Sequence, residues 1–317
     1  MKRNELQEVI ACLDERRRKF SYFKDQYALQ LLQWDFFQKQ VDRQKIQQLR
    51  QSDKGKLLNR PLLAELLKTC GDGWLGLEAL QMVWQQPVEF VTTLDIWGDG
   101  DCSVDQTTRR QSNLVLQINF DGLHRQRYQQ LVKPRDWIGP FEYDGHPICF
   151  DQRKTLAWVR LDFCLETGEA LIEEIQNDWL RRAESWLKKV AYLHRRHRGK
   201  LPYSIRNRFG GGLDGLNAYM REELEPYKKV WNEAALYYAL TFIRDELGIK
   251  QVYYHTFETG TRIKNVIRQP PRSMYTQLPR QFCFEEGDEV PAFVANDKAV
   301  RRRLKKIKPV RFYQLAI

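Results

Sequence analysis

The sequence predicts an α+β fold, in which a helical N-terminal region precedes a mixed or antiparallel sheet covered by helices. Apolar residues recur at helical spacing in the first part of the chain. Short β-rich segments separated by Gly, Asp or Pro turns follow, and helical spacing then returns. We therefore predict a helical N-terminal region at 1–87 and an α+β domain at 88–317.

The N-terminal region is predicted to contain several helices. Apolar residues repeat at helical spacing over 6–13 and again over 20–37. The more polar stretch 35–51 predicts a solvent-facing helix, and two shorter helices are predicted over 61–69 and 75–84.

Five short segments have the composition of strands, and they lie at 88–97, 113–121, 146–151, 156–165 and 170–176. The turn after the first of them carries Asp at alternate positions, as calcium loops do. It lacks the central glycine, and Arg110 lies where a closing Glu is needed, so we interpret it as a polar hairpin turn.

Helical spacing returns after the strands. A helix beginning near Trp179 is capped by Asn177 or Asp178, because both side chains accept hydrogen bonds from free N–H groups. The later predictions are a loop at 207–215, a short helix at 216–224 ended by Pro226, a long helix ending at Gly248, a strand at 250–257 and a helix leading into a strand at 274–287.

Composition narrows the class of protein. The 317 residues are 42% hydrophobic, which is enough for a substantial core. No run of about 18 apolar residues predicts a membrane span, and charges come too early in the chain for a signal peptide. The six cysteines are scattered without a CxxC pair, which favours reduced thiols in a soluble, cytoplasmic protein.

Positive charge is concentrated in two segments. The formal net charge is +11, and the stretch 181–208 holds ten Arg or Lys residues against a single acidic residue, Glu184. A second basic cluster runs over 298–311. Such clusters attract polyanions, namely nucleic acid, nucleotide phosphates or an acidic protein face. The alternative is a solvated basic helix without a partner.

The stretch "LIEEIQNDW" places unusual polarity where a strand gives way to a helix. In a regular strand Ile172, Glu174, Gln176 and Asp178 share one face. If that face lines a cleft, partial burial raises the pKa of a carboxyl toward neutrality and allows it to act as a general base. If it does not, the strand simply has a solvent-facing polar edge.

This stretch and three later segments resemble a domain of very large multidomain proteins of phages and mobile elements. The resemblance covers about 170–284. It departs at Leu180, where the family usually has His, and at His255, where Trp is usual. The resemblance indicates where a site lies but implies no particular reaction. The matching residues are Glu174, Gln176, Asp178 and Trp179, then Lys229, Trp231 and Glu233, then Thr259 and Gly260, and finally Tyr275, Leu278, Pro279 and Phe282.

The order of elements after residue 170 is more loosely similar to the GNAT acyltransferase fold. That resemblance implies acyl-CoA as a cofactor, bound by backbone N–H groups at the start of the central helix. It also implies Glu174 as the base and Tyr275 as the proton donor to the leaving thiolate. Two segments could hold the phosphates: the glycine loop Gly210, Gly211 and Gly212, or the start of the long helix with Lys228, Lys229 and Glu233. A flexible connector is the alternative interpretation of the glycine loop.

His255 ends a predicted strand beside Thr256 and Glu258. It is either a catalytic residue or a buried hydrogen-bonding histidine. Three functions follow from these patterns. The first is a GNAT-like acyltransferase or a degenerate relative, the second a nucleic-acid-binding protein of a mobile element or phage-related system using 181–208, and the third an adaptor without catalysis.

Overall fold

A large mixed sheet organises the molecule. The structure, a computed structural model, describes residues 1–13, 18–98, 105–135, 139–149, 153–266 and 270–317. These residues form one eight-stranded sheet and one two-stranded sheet, with helices packed around them. The predicted α+β class and the helical N-terminal region are thereby confirmed. None of the helices in these ranges is long and apolar enough to cross a membrane.

The large sheet has the strand order β1-β4-β5-β6-β7-β8-β10-β9. Every neighbouring pair is antiparallel except β7 and β8. Strands β2 and β3 form the small sheet. The strands are β1 Arg18–Tyr22, β2 Arg43–Lys45, β3 Trp74–Gly76, β4 Val88–Trp97, β5 Asn113–Phe120, β6 Thr155–Cys164, β7 Glu169–Gln176, β8 Gln251–His255, β9 Glu285–Gly287 and β10 Phe312–Ala316.

Helices connect and cover the strands. A π-helical turn at Tyr219–Leu224 and two 3₁₀ turns at Gly55–Asn59 and Arg272–Tyr275 accompany the α-helices. The α-helices described are α1 Arg3–Cys12, α2 Gln26–Lys39, α3 Ile46–Gln51, α4 Pro61–Lys68, α5 Leu77–Gln81, α6 Gly122–Leu131, α7 Asp178–Arg196, α8 Tyr203–Arg208, α9 Gly212–Ala218, α10 Glu225–Asp245, α11 Phe257–Ile263, α12 Gln277–Gln281, α13 Ala292–Ala295 and α14 Lys298–Leu304.

The N-terminal region shares the sheet with the rest of the chain. Strand β1 pairs with the start of β4, and Phe20 stacks on Phe90 with ring centroids 5.0 Å apart. The apolar stripe predicted as a helix over 20–37 therefore forms the end of strand β1 and then helix α2. Its first residues are extended along the edge of the sheet, and α2 begins only after Asp25, which has a left-handed φ of 65°.

Two other predicted boundaries change. The helix predicted over 35–51 is interrupted at Gln40, whose φ is 54°, and by strand β2. Pro226 does not end a helix. It lies in the first turn of α10, where a missing N–H costs nothing, and the π-helical turn joins α9 to α10.

Not every predicted strand is present. Residues 146–149 are not in a strand, and the remainder of the segment predicted at 146–151 lies outside the described residues. The polar turn predicted after β4 also falls largely outside them. The five cysteines within the described ranges form no disulfide with one another.

Hydrophobic side chains cover both faces of the central strands. Ile172 and Ile175 of β7 pack into the main core together with Leu236 and Ala239 of α10. Leu171 packs on the other face, in a smaller cluster that includes Phe312. Because both faces are covered, polar side chains that point away from the main core must pair with one another or reach the edge of the sheet.

The single parallel pair opens partway along its length. Strand β7 pairs with β8 only over Glu169–Ile172, although β7 continues to Gln176. The second half of β7 therefore has no strand on that side, and its polar residues lie in this half.

Candidate functional site at the end of strand β7

A β-bulge at Glu173 sets the direction of the polar side chains. In the pairing of β6 with β7, Arg160 opposes Glu174 and Leu161 opposes Ile172, which leaves Glu173 as an extra residue. Ala170 and Ile172 before the bulge and Ile175 after it all lie on the side of the main core. The predicted grouping of Ile172 with Glu174 on one face is therefore wrong, because regular alternation does not hold across a bulge.

Glu174 is held in a buried ion pair with Arg160. The same guanidinium donates hydrogen bonds to the backbone oxygens of Asp105, at 2.7 Å, and Gln106, at 3.2 Å. Burial alone would raise the pKa of Glu174, but the charges of Arg160 and Lys264 and the hydrogen bond from Arg160 together outweigh burial and lower the pKa below its usual range. A carboxylate with a lowered pKa and a bound cation is a weak base, so Glu174 fits a structural role better than the predicted catalytic one.

Glu173 is the centre of a second buried group. Its carboxylate accepts hydrogen bonds from the backbone N–H and the hydroxyl of Thr108, both at 2.9 Å, and lies 3.2 Å from His255 Nε2. Lys264 donates to the backbone oxygen of Glu173 at 2.7 Å. All four residues are buried. His255 is therefore the buried hydrogen-bonding histidine of the two alternatives, and this group fills the opening between β7 and β8.

Gln176 and Asp178 meet a histidine that the sequence did not indicate. Asp178 Oδ2 lies 2.6 Å from His146 Nδ1, and Gln176 Nε2 donates to Asp178 Oδ1 at 2.8 Å. A carboxylate can only accept a hydrogen bond, so Nδ1 of His146 carries the proton. The contact of 3.2 Å between Gln176 Nε2 and His146 Nδ1 then has two donors facing each other and is not a hydrogen bond.

The second ring nitrogen of His146 is left open. Nε2 makes no hydrogen bond to any residue in the described ranges, and the side chain is 25% exposed, whereas that of Asp178 is 7% exposed. Aromatic rings surround the imidazole edge to face: Tyr143 at 4.6 Å, Trp158 at 5.5 Å and Trp97 at 6.4 Å between centroids. A carboxylate thus lies inside the molecule and an oriented imidazole lies at its surface.

The strand-to-helix junction explains why Asp178 is available for this contact. Asn177 is the helix cap, since its Oδ1 accepts from the N–H of Leu180 at 2.9 Å. Asp178 is thereby free to turn toward His146, and it also pairs with Arg181 one turn later. Burial opposes the charge of Asp178, but hydrogen bonds from His146 and Gln176 and the charge of Arg181 lower its pKa below the usual range.

The residues predicted on the long helix lie elsewhere. Helix α10 packs on the main-core side of β7, opposite to Glu174. Lys229 lies 3.7 Å from Glu225, and Lys228 lies 2.6 Å from Glu184. Glu233 is buried and binds four groups of the N-terminal region and α12. They are the hydroxyl of Tyr22, the ammonium of Lys24, the backbone N–H of Asp25 and the side chain of Gln281.

The predicted phosphate loop packs against the end of α6 and the residues that follow it. The N–H groups of Gly210 and Gly211 donate to the backbone oxygens of Lys133 and Val132, both at 3.1 Å, and that of Gly212 donates to Phe209 at 3.0 Å. An added Cβ at Gly211 would lie 1.8 Å from a backbone oxygen. The glycine thus permits close packing against α6. These N–H groups already donate hydrogen bonds to backbone oxygens of the protein. They are therefore not available for the phosphate binding that the sequence predicts.

Tyr275 is buried, with its ring 5.8 Å from that of Tyr254. Burial, followed by the charge of Glu174, raises its pKa well above the usual range. A buried tyrosine of this kind is poorly placed to give a proton to a leaving group at the surface. Among the described residues, no group of three or more His, Cys, Asp or Glu side chains is arranged to hold a metal ion.

His146 is the site residue that sequence reasoning missed. The sequence interpretation placed it in a strand, and it is 32 positions from Asp178. Its setting in "YDGHP" carried a usable signal, because a histidine between turn-forming residues belongs to a surface loop, where functional residues concentrate.

Comparison of the chain with protein-family models, curated proteins and solved structures found no match. The resemblances to the phage-protein domain and to GNAT acyltransferases stay predictions. The function is therefore inferred from the geometry of the site.

Proposed function

We propose that the protein is an enzyme in which His146, oriented by Asp178, transfers protons at the surface end of strand β7. The observation that carries this proposal is the 2.6 Å contact between His146 Nδ1 and Asp178 Oδ2, combined with the partial exposure of the imidazole. A carboxylate that fixes one nitrogen of a histidine leaves the other nitrogen as a proton acceptor, the arrangement that general-base catalysis requires.

The chemistry follows from the fixed tautomer. With the proton on Nδ1, the lone pair of Nε2 can accept a proton from a water, hydroxyl or amine group of a substrate. The imidazolium that forms is stabilised by Asp178, which keeps its negative charge. Gln176 and Arg181 hold the second oxygen of Asp178, so the carboxylate is not free to rotate away.

The surroundings favour an anionic substrate. Arg181 is 62% exposed beside the pair of His146 and Asp178, here called the dyad, and Arg182 lies over the exposed ring of Tyr143 at 5.7 Å. The ring of Tyr143 and the two guanidinium groups provide a flat surface and positive charge around the pair of His146 and Asp178. The reaction class that suits this site is a transfer or hydrolysis in which the nucleophile loses a proton.

The acyltransferase interpretation rests on the order of elements after residue 170, in which strand β7 is followed by helices, strand β8, further helices and strand β9. The residues present do not fit its cofactor, acyl-CoA, at the predicted positions. The start of α10 continues directly from the π-helical turn and carries Pro226 in its first turn, so it does not present the free N–H groups that a pyrophosphate needs. The N–H groups of the glycine loop are engaged elsewhere.

The test is a comparison of wild type with His146→Gln and with the control His194→Gln, which changes a histidine on α7 away from the dyad. Each protein is assayed against nitrophenyl esters, bis-nitrophenyl phosphate and oligonucleotides. General acid–base catalysis contributes about 10²- to 10⁴-fold. We expect a loss of that size in His146→Gln, with unchanged circular dichroism and normal activity in the control. Full activity in His146→Gln would disprove the proposal.

A further inference from the structure

One exposed face of helix α7 leads away from the dyad. Arg181, Ser185, Lys188, Tyr192 and Arg195 follow one another at spacings of four and three residues, so they share one side of the helix. All five are exposed. The opposite side of α7 is anchored in the main core. These five residues, here called the α7 ridge, span about 21 Å at ~1.5 Å per residue.

The positive charge of the α7 ridge is largely uncompensated. Lys188 and Arg195 form no ion pair with any residue in the described part of the chain, and both are exposed. The only acidic side chain in the helix beyond its first turn, Glu184, is bound to Lys228. Three further exposed cations continue beyond the ridge: Arg198, Lys200 and Arg206. Charges left unpaired in a row attract a partner with regularly spaced negative charge.

Aromatic rings stand among these cations. Tyr192 is 51% exposed and Tyr203 is 75% exposed. Arg196 donates to the hydroxyl of Tyr192 at 3.3 Å, which holds that side chain in place on the surface. Alternating cations and exposed rings are the features that bind a single nucleic-acid strand, because cations contact phosphates and rings stack on unpaired bases.

We propose that the α7 ridge binds single-stranded nucleic acid and directs it to His146. This inference rests on the proposed function, since it names the substrate class of the same site. Arg181 connects the two, as it belongs to the ridge and also pairs with Asp178 of the dyad. A duplex hides its bases from the tyrosines, and an acidic protein surface offers nothing to stack on them. The single strand is therefore the partner that uses both features.

Binding is measured by fluorescence anisotropy with a labelled oligothymidylate across a range of salt concentrations. The ridge variant Lys188→Ala/Arg195→Ala is compared with Arg50→Ala/Lys56→Ala. The control removes the same two residue types from exposed positions of the N-terminal region, where neither side chain has an ion-pair partner among the described residues. Each lost phosphate contact reduces the slope of log K against log salt by about 0.7 for a single strand. We expect a reduction of about 1.4 in the ridge variant and none in the control.

A second variant, Tyr192→Ala, tests stacking. It should weaken binding of the oligothymidylate about 5- to 160-fold, the effect of losing one stacked base. It should not change binding of the matching abasic strand. Equal binding of duplex and single strand, equal competition by polyglutamate, or equal losses in the ridge variant and its control would each overturn the proposal.

The same assay separates the two proposals. His146→Gln should bind the oligothymidylate as wild type does and lose turnover. If the ridge binds the strand but turnover survives in His146→Gln, the dyad proposal is wrong. If turnover of another substrate depends on His146 while oligothymidylate does not bind, the ridge proposal is wrong.

Discussion

His146 Nδ1 and Asp178 Oδ2 lie 2.6 Å apart, although 32 positions separate them in the chain. The contact joins a surface loop to the first turn of α7. It couples a buried carboxylate to a partly exposed imidazole, so the negative charge is protected and the reactive nitrogen is accessible. The hydrogen bond that one ring nitrogen of a histidine makes determines which nitrogen carries the proton. This tautomer can be measured directly.

Asp178→Asn should invert the tautomer of His146. Arg181 pairs with the oxygen on the Oδ1 side and should attract the new amide oxygen there, which places the NH₂ group against His146 Nδ1. Nδ1 must then accept, so the proton moves to Nε2 and catalysis falls by as much as ~10⁴-fold. The ¹⁵N chemical shifts of the imidazole report the tautomer. A spectrum identical to wild type would contradict this account of the dyad.

Glu174→Gln should destabilise the protein. The change leaves the buried guanidinium of Arg160 without a counter-charge, and removal of one partner from a buried ion pair costs about 3–5 kcal/mol. Urea unfolding measures this loss as a lower midpoint. The matched control is Glu258→Gln, which breaks an exposed pair with Arg272 and should cost less than about 1 kcal/mol. Equal midpoints for the two variants would argue that Glu174 is not structural.

Asn177→Ala should remove the cap of α7 and cost about 0.5–2 kcal/mol in the free energy of unfolding. Asn177→Ser keeps an oxygen that can accept from Leu180 N–H, so it should recover most of that loss. Thermal unfolding of both variants provides the comparison. Similar losses in the serine and alanine variants would show that the side chain matters for another reason than capping.

The class of fold and most strands were predictable because they depend on local patterns. Strands β4 and β7 lie close to their predicted positions, since their apolar composition and their flanking turns are encoded within a few residues. The N-terminal stripe was not predictable in the same way. Phe20 has the spacing of a helix, yet its pairing partner Phe90 lies far along the chain, and tertiary contacts decided its conformation.

The sequence predicted only those site residues that lie close together in the chain, at the end of β7. Gln176 and Asp178 were expected to act together, and they do meet. The bulge at Glu173 was not foreseen, because an extra residue in one strand depends on the register of its neighbour. His146 and Arg160 were missed for a related reason. Each joins the site through a contact with a distant segment, and a single sequence contains no record of such pairs.

Acid should weaken the fold through His124. This residue is buried, stacks on Phe120 with centroids 3.6 Å apart, and lies 2.7 Å from the hydroxyl of Tyr219. Burial, with a smaller effect of the charge of Lys154, lowers its pKa to about 3, against about 6.5 in an unfolded chain. The unfolded state therefore binds the proton first as pH falls.

The sign of the pH dependence of stability follows from this order of protonation. The stability associated with neutral His124 is complete above about pH 6.5 and is lost as pH falls toward 3, which amounts to about 3 kcal/mol between pH 7 and pH 4. His124→Gln keeps an acceptor for Tyr219 but cannot be protonated, so its free energy of unfolding should depend less on pH by that amount. Glu142, whose pKa burial raises to about 7, gives the opposite slope between pH 4.5 and 7. Its effect is common to both proteins and cancels in their difference.

The control is His197→Gln, at an exposed position, which should retain the pH dependence of wild type. Parallel curves for wild type and His124→Gln would mean that His124 does not stay neutral in the folded protein.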